Sequence, residues 1–114
     1  MKIKRSKREY QTLKEFARAL VHHKLEHFNA FYNFSYNRVS IKNMKTRWGS
    51  CSTKKNLNFH YKIIELPTEL ADYLIVHELC HLGEFNHSDK FWILVEKTIP
   101  HYKTLRTRLR AIHF

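Results

Sequence analysis

Glycine, proline and cysteine each occur only twice in these 114 residues, and 10 Asp+Glu face 21 Lys+Arg. So little glycine and proline, beside 43% apolar and 14% aromatic residues, excludes a fibrous, linker-like or disordered chain. Two cysteines, Cys51 and Cys80, are too few for a disulfide scaffold and suit a reducing compartment. No apolar run approaches the ~18 residues of a membrane span, and the basic start Met1–Arg8 leads into a mixed helical pattern rather than a signal-peptide core. The expectation is one cytoplasmic globular domain, 1–114, with no membrane partner. A chain of this length buries roughly two-thirds of its unfolded surface, enough for a modest core without staples.

The scarcity of acid leaves a formal charge of +11, unevenly spread. Residues 1–30 carry eight basic and three acidic side chains, and residues 101–114 carry four basic and none acidic. Basic ends favour an anionic ligand or nucleic acid, against the bland alternative of a solvated basic surface.

Apolar Tyr10, Leu13, Phe16, Ala17, Leu20, Leu25 and Phe28 recur mostly at steps of three and four, which predicts an amphipathic helix over 7–31. Alternation around Val39 and Ile41 predicts a strand over 37–42, and 57–60 a second, with 46–51 either strand or loop. The polar run 52–56 predicts a turn between them. Pro67 opens a helix that is apolar nearly all round and therefore buried, ending near Gly83 as a left-handed terminator. Ser88-Asp89 caps a helix through Thr98, and Tyr102, Leu105, Leu109 and Ile112 stripe a last one.

His77-Glu78-Leu79-Cys80-His81 interrupts the buried helix. Two imidazoles four residues apart share a helix face and can share an ion. The alternative is a pair of hydrogen-bonded core histidines. Two imidazoles rarely hold a metal, so a third ligand is expected. Glu84, on a continuing helix, would lie about 10 Å along the axis from His77, whereas a chain turning at Gly83 returns His87. The expected ligand set is His77, His81 and His87 on one Zn2+. Three ligands leave a fourth position open, so the mechanism expected is zinc-bound water activated by Glu78. Arg47, His60, Tyr61 and Tyr73 are candidates for a second electrophile by residue type. Asn86 and Ser88 read as groups supporting the ligands or capping a helix, Phe91 and Trp92 as core.

With Asn86-His87-Ser88, Phe91-Trp92 and the upstream Arg47-Trp48-Gly49-Ser50-Cys51, the histidine motif resembles the YgjP-like metallopeptidase domain, a relative of the WLM and SprT-like zincins. The likeness covers about residues 38–110. It implies an α+β minimal zincin: a basic N-terminal backing helix (1–33), a small twisted, mainly antiparallel sheet (34–66), then the active-site helix and two C-terminal helices (67–114). It also implies zinc on His77, His81 and His87 with Glu78 as base. His60 stands where the family commonly has Asn, which puts it among residues that could touch the cleft, with Arg47, Tyr73 and Asn86.

Three functions fit. The first is a zinc metallopeptidase acting on a peptide or protein whose strand pairs with an exposed sheet edge, expected at 57–60. The second is a zinc-dependent phosphoanhydride (nucleotide) hydrolase, against which stands the lack of a glycine-rich phosphate loop. The third is a nucleic-acid-associated protease or binding module using the basic ends.

Overall fold

The computed structural model describes residues 5–114; residues 1–4 of the expected helical segment 1–33 lie outside them. Helix α1 spans Lys7–Tyr32. Ser6 starts it, its hydroxyl accepting from the Glu9 N–H at 3.1 Å, a favourable N-cap. Its buried line is Ala17, Val21 and Leu25, at steps of four, while the expected core residue Phe16 is 64% exposed. Asn33, at φ 55°, ends it, and the Asn29 side chain clamps both backbone groups of Phe34.

Three strands follow: β1 (Arg38–Lys42), β2 (Gly49–Cys51) and β3 (Asn56–His60), in the order β1-β3-β2. The sheet is mixed rather than mainly antiparallel. β1 runs parallel to β3 with Val39 opposite Leu57, and β2 antiparallel with Ser50 opposite Asn58. The cause is the stretch 43–48, which carries the chain past the place of β3 before the tight 52–56 turn reverses it. Lys55 takes φ 65° there, and the Ser52 hydroxyl accepts from the Asn56 N–H. The segment 57–60 is consequently the central strand, with Leu57 and Phe59 fully buried. It offers no free edge for a substrate; the edge strand next to the His77–His81 motif is β2.

A 3-10 turn, Tyr61–Glu65, leads to α2 (Thr68–Cys80), with Pro67 as N-cap. α2 buries Leu70, Ala71, Tyr73, Leu74, Ile75, Val76, Leu79 and Cys80, as its apolar periphery predicts. It packs against α1, β2 and the two last helices, α3 (Asp89–Glu96) and α4 (Tyr102–Arg110). Ion pairs tie Lys24 of α1 and Arg108 of α4 to Asp72 and Glu69 of α2. The fold is α+β: four helices around a small three-stranded sheet. Among the described residues no helix is long and apolar enough to cross a membrane.

α2 stops at Cys80, and neither glycine has a positive φ, so Gly83 is not the left-handed terminator expected of it. A Cβ on Gly83 would lie 2.8 Å from the Phe34 ring. The glycine is there for close approach, which lets the turn after α2 press against the start of the 33–36 loop.

Candidate metal centre

His77 sits in the last turn of α2, His81 is its C-cap, and His87 arrives on the loop that follows. The Nε2 atoms of His81 and His87 are 3.0 Å apart, and those of His87 and His77 3.2 Å. The rings are fixed from behind. The Glu84 carbonyl can only accept, so His81 Nδ1–H donates to it at 3.0 Å, which leaves Nε2 as a lone pair in the neutral ring. Tyr73 Oη lies 3.1 Å from His77 Nδ1. Phe91, fully buried, stacks on His81 at 4.4 Å, and Trp92 stacks on His87 at 5.8 Å.

Burial lowers the proton affinity of all three rings; His81, His87, Arg106 and Arg110 lower His77 further, to about 3, the two arginines act likewise on His87, and His87 acts on His81 against the Glu84 carbonyl, which raises it. They are therefore neutral near pH 7. Three neutral imidazoles meeting at Nε2 hold at most one proton per contact between two lone pairs, and a cation satisfies such a cluster better than hydrogen bonds can. The size fits as well: Zn–N bonds of 2.0–2.1 Å in a tetrahedron put nitrogens about 3.4 Å apart. Among the described residues these three form the one group of potential ligands, all donor atoms lying within 4.8 Å of one another. Glu84 contributes its carbonyl to His81 and is not in that group.

Glu78 is 5% exposed, on the α2 turn between His77 and His81. Burial pushes its carboxyl up to about 8, with the positive charge of Arg47 acting the other way. Gly49 of β2 makes room for it: a Cβ there would lie 3.0 Å from Glu78 Oε2 and 3.1 Å from the Asn58 carbonyl. The Arg-Trp-Gly-Ser-Cys stretch thus has a structural reason, with the edge strand lying directly over the carboxylate.

The remaining expectations divide. Tyr73 belongs to the site through His77. Arg47 is exposed and close enough to influence Glu78. Asn86 is exposed beside His87 and hydrogen-bonds to none of the three histidines. His60 is a core residue instead of a cleft residue. Its Nε2–H donates to the Met44 carbonyl at 2.9 Å, its Nδ1 accepts from the Lys62 N–H, and it stacks on Phe114 at 4.4 Å. Tyr61 is turned towards α1, meeting Tyr10 edge-on and Arg5 by hydrogen bond. Cys80 and Cys51 are free, Cys80 buried in the core.

Four residues play parts that sequence reasoning did not assign. Trp92 is half-buried against His87, so its helical spacing, which predicted core, describes only part of its role. Gly49 was legible only as part of a motif. Arg106 and Arg110, four apart on α4, look like a solvated face in sequence, yet their charge reaches His77 and His87.

Comparison with known proteins places these features in context. The model of the YgjP-like, metallopeptidase domain family matches residues 2–112. No curated protein matches the chain. Among solved structures it is similar to the crystal structure of the metallopeptidase zymogen of Pyrococcus abyssi abylysin. That match has TM-score 0.71 and 28% identity, covering 78% of this chain and 90% of the other. It is also similar to the metallopeptidase zymogen of Methanocaldococcus jannaschii jannalysin, with TM-score 0.62 and 28% identity, covering 82% of this chain and 92% of that one.

Proposed function

This chain belongs to the YgjP-like metallopeptidase family and is a zinc metallopeptidase-like hydrolase; from that premise we propose that His77, His81 and His87 hold its metal and that Glu78 is the catalytic base. The observation that carries the ligand set is the meeting of three neutral Nε2 atoms at 3.0 and 3.2 Å. Zinc, when bound there, supplies a Lewis acid that lowers the pKa of water and polarises a carbonyl oxygen.

The chain's own residues do the rest. Glu78 Oε takes a proton from the attacking water and passes it to the leaving amine. A cation on the three histidines would favour the carboxylate form that this role needs, against the burial that favours the protonated one. The Glu84 carbonyl holds His81 in the tautomer that points a lone pair on Nε2 inward, and Tyr73 Oη orients the His77 ring from its Nδ1 side. Gly49 keeps the carboxylate unobstructed. The substrate is a peptide or protein, which lies along β2, the edge strand above Glu78, rather than along β3. Residues 1–114 act as one metallopeptidase domain. The family and the structural neighbours lend no support to the nucleotide-hydrolase or nucleic-acid readings.

The test combines metal analysis with cleavage. His87→Ala should lose the zinc that the wild-type chain carries at about one per molecule. Glu78→Gln should keep its zinc and lose at least about 100-fold in kcat on any peptide the wild type cleaves. Unchanged cleavage in Glu78→Gln would remove Glu78 from the mechanism.

A further inference from the structure

Three arginines on the segments beside the three histidines have no carboxylate partner among the described residues. Among the described residues the ion pairs use Arg5, Arg18, Lys24 and Arg108, whereas Arg47, Arg106 and Arg110 pair with no carboxylate. The contrast on α4 is informative: Arg108 turns to Glu69 of α2, while Arg106 and Arg110, on either side of it in sequence, turn elsewhere.

Arg106 turns towards the site. The Arg106 guanidinium lies 4.9 Å over the Trp92 ring, and the same indole stacks on His87. Arg110, one turn further on, lines a cavity of about 370 Å³ together with Lys45, Thr46 and Trp48 of the segment that leads into β2. That segment also holds Arg47, whose charge acts on Glu78. Arg106 and Arg110 lie four residues apart on α4 and so share one face of it. With the guanidinium 4.9 Å from the Trp92 ring and that ring 5.8 Å from His87, the charge lies at most about 11 Å from the His87 ring, a span of about three residues of extended chain. Unpaired arginines beside a cleft are forks for carboxylates, which they can take bidentately.

We propose that Arg106 and Arg110, with Arg47 on the opposing segment, are specificity-determining residues that select peptides bearing an acidic side chain within about three residues of the scissile bond. The proposal rests on the peptidase reading above. It gives the excess of basic residues near the C-terminus a role in substrate choice, and it assigns none of these arginines a part in the bond-breaking step.

The experiment uses the zinc-loaded full chain and pairs of quenched fluorescent peptides that are identical except for Glu or Gln at one position, scanned over three residues on each side of the cleaved bond. At the best position kcat/KM for the Glu peptide should exceed that for its Gln twin about tenfold, and the ratio should shrink as salt is raised. Arg106→Gln and Arg110→Gln should each bring the ratio severalfold closer to one, and the double change to Glu should invert it in favour of Lys peptides. Arg108→Gln, on the side paired with Glu69, should leave it unchanged. Each ratio is taken within one protein preparation, so a variant that folds incompletely still reports. Cleavage of both twins at equal rates at every position overturns the proposal while the peptidase reading stands. Failure of the wild type to cleave any peptide overturns the peptidase reading and takes this one with it.

Discussion

Glu78 makes a prediction that needs no substrate. In the metal-free protein its carboxyl keeps a proton up to about pH 8, because burial disfavours the charge, whereas in the unfolded chain it ionises near 4.5. Between those values the folded state binds more protons than the unfolded state, so this group makes stability fall as pH rises, with a plateau above 8. At about 1.36 kcal/mol for each tenfold, the whole passage amounts to on the order of 4 kcal/mol, a large share of the 5–15 kcal/mol that holds a domain together. Glu78→Gln keeps the shape and removes the titration. The two metal-free proteins should therefore unfold at similar temperatures at pH 5. At pH 8.5 the variant should be the more stable, by roughly 15 °C if 1 kcal/mol moves Tm by about 4 °C in a domain of this size. The three histidines also make stability depend on pH, in the opposite direction: their folded affinities are lowered, so they cost stability as pH falls below about 6.5. That contribution is common to both proteins and cancels in the difference curve. Thermal unfolding in chelator, followed by circular dichroism from pH 5 to 9, reads the result. Parallel curves for wild type and variant would refute a buried, proton-holding Glu78. Zinc should flatten the wild-type slope, since a cation nearby favours the carboxylate.

Other perturbations separate the roles of the neighbours. Tyr73→Phe removes the oxygen 3.1 Å from His77 Nδ1, and zinc affinity measured by competition with a chelating dye should drop at least about tenfold. Gly49→Ala puts a Cβ 3.0 Å from Glu78 Oε2 and 3.1 Å from backbone; kcat should fall by about 10- to 100-fold with zinc content unchanged, because the base is displaced and the ligands are not. His60→Ala strands the Met44 carbonyl and the Lys62 N–H in a buried spot, which should cost about 2–4 kcal/mol in denaturant titration. It should leave zinc content and KM as they were, and a changed KM would return His60 to the cleft.

How far such a site is legible in sequence depends on how local each part is. His77 and His81 are four apart on one helix, a spacing that needs only helical geometry to be understood. The buried character of α2 and the cap at Ser88 are equally local, as periodicity and side-chain chemistry write them within a few residues. His87 asked for one more step, a turn after α2, and the turn exists for a reason other than the one its glycine suggested: contact with Phe34, fifty residues upstream, instead of a left-handed backbone. The sheet shows the limit. Strands 38–42 and 56–60 could each be read from alternation, but nothing within either says that they lie side by side and parallel, with 49–51 beyond. That order depends on which strand covers the most apolar surface, and Leu57 and Phe59 claim the centre. The errors about His60 and the substrate edge descend from it. Placing β3 at the centre pulled His60 into the core and denied a substrate the edge at 57–60. It left β2, through a glycine with no side chain of its own, as the strand that meets Glu78. The arginines of α4 were visible only as a basic end that suggested nucleic acid: charge on a helix face becomes specific only once another element, here Trp92 and the segment before β2, shows what the face looks upon.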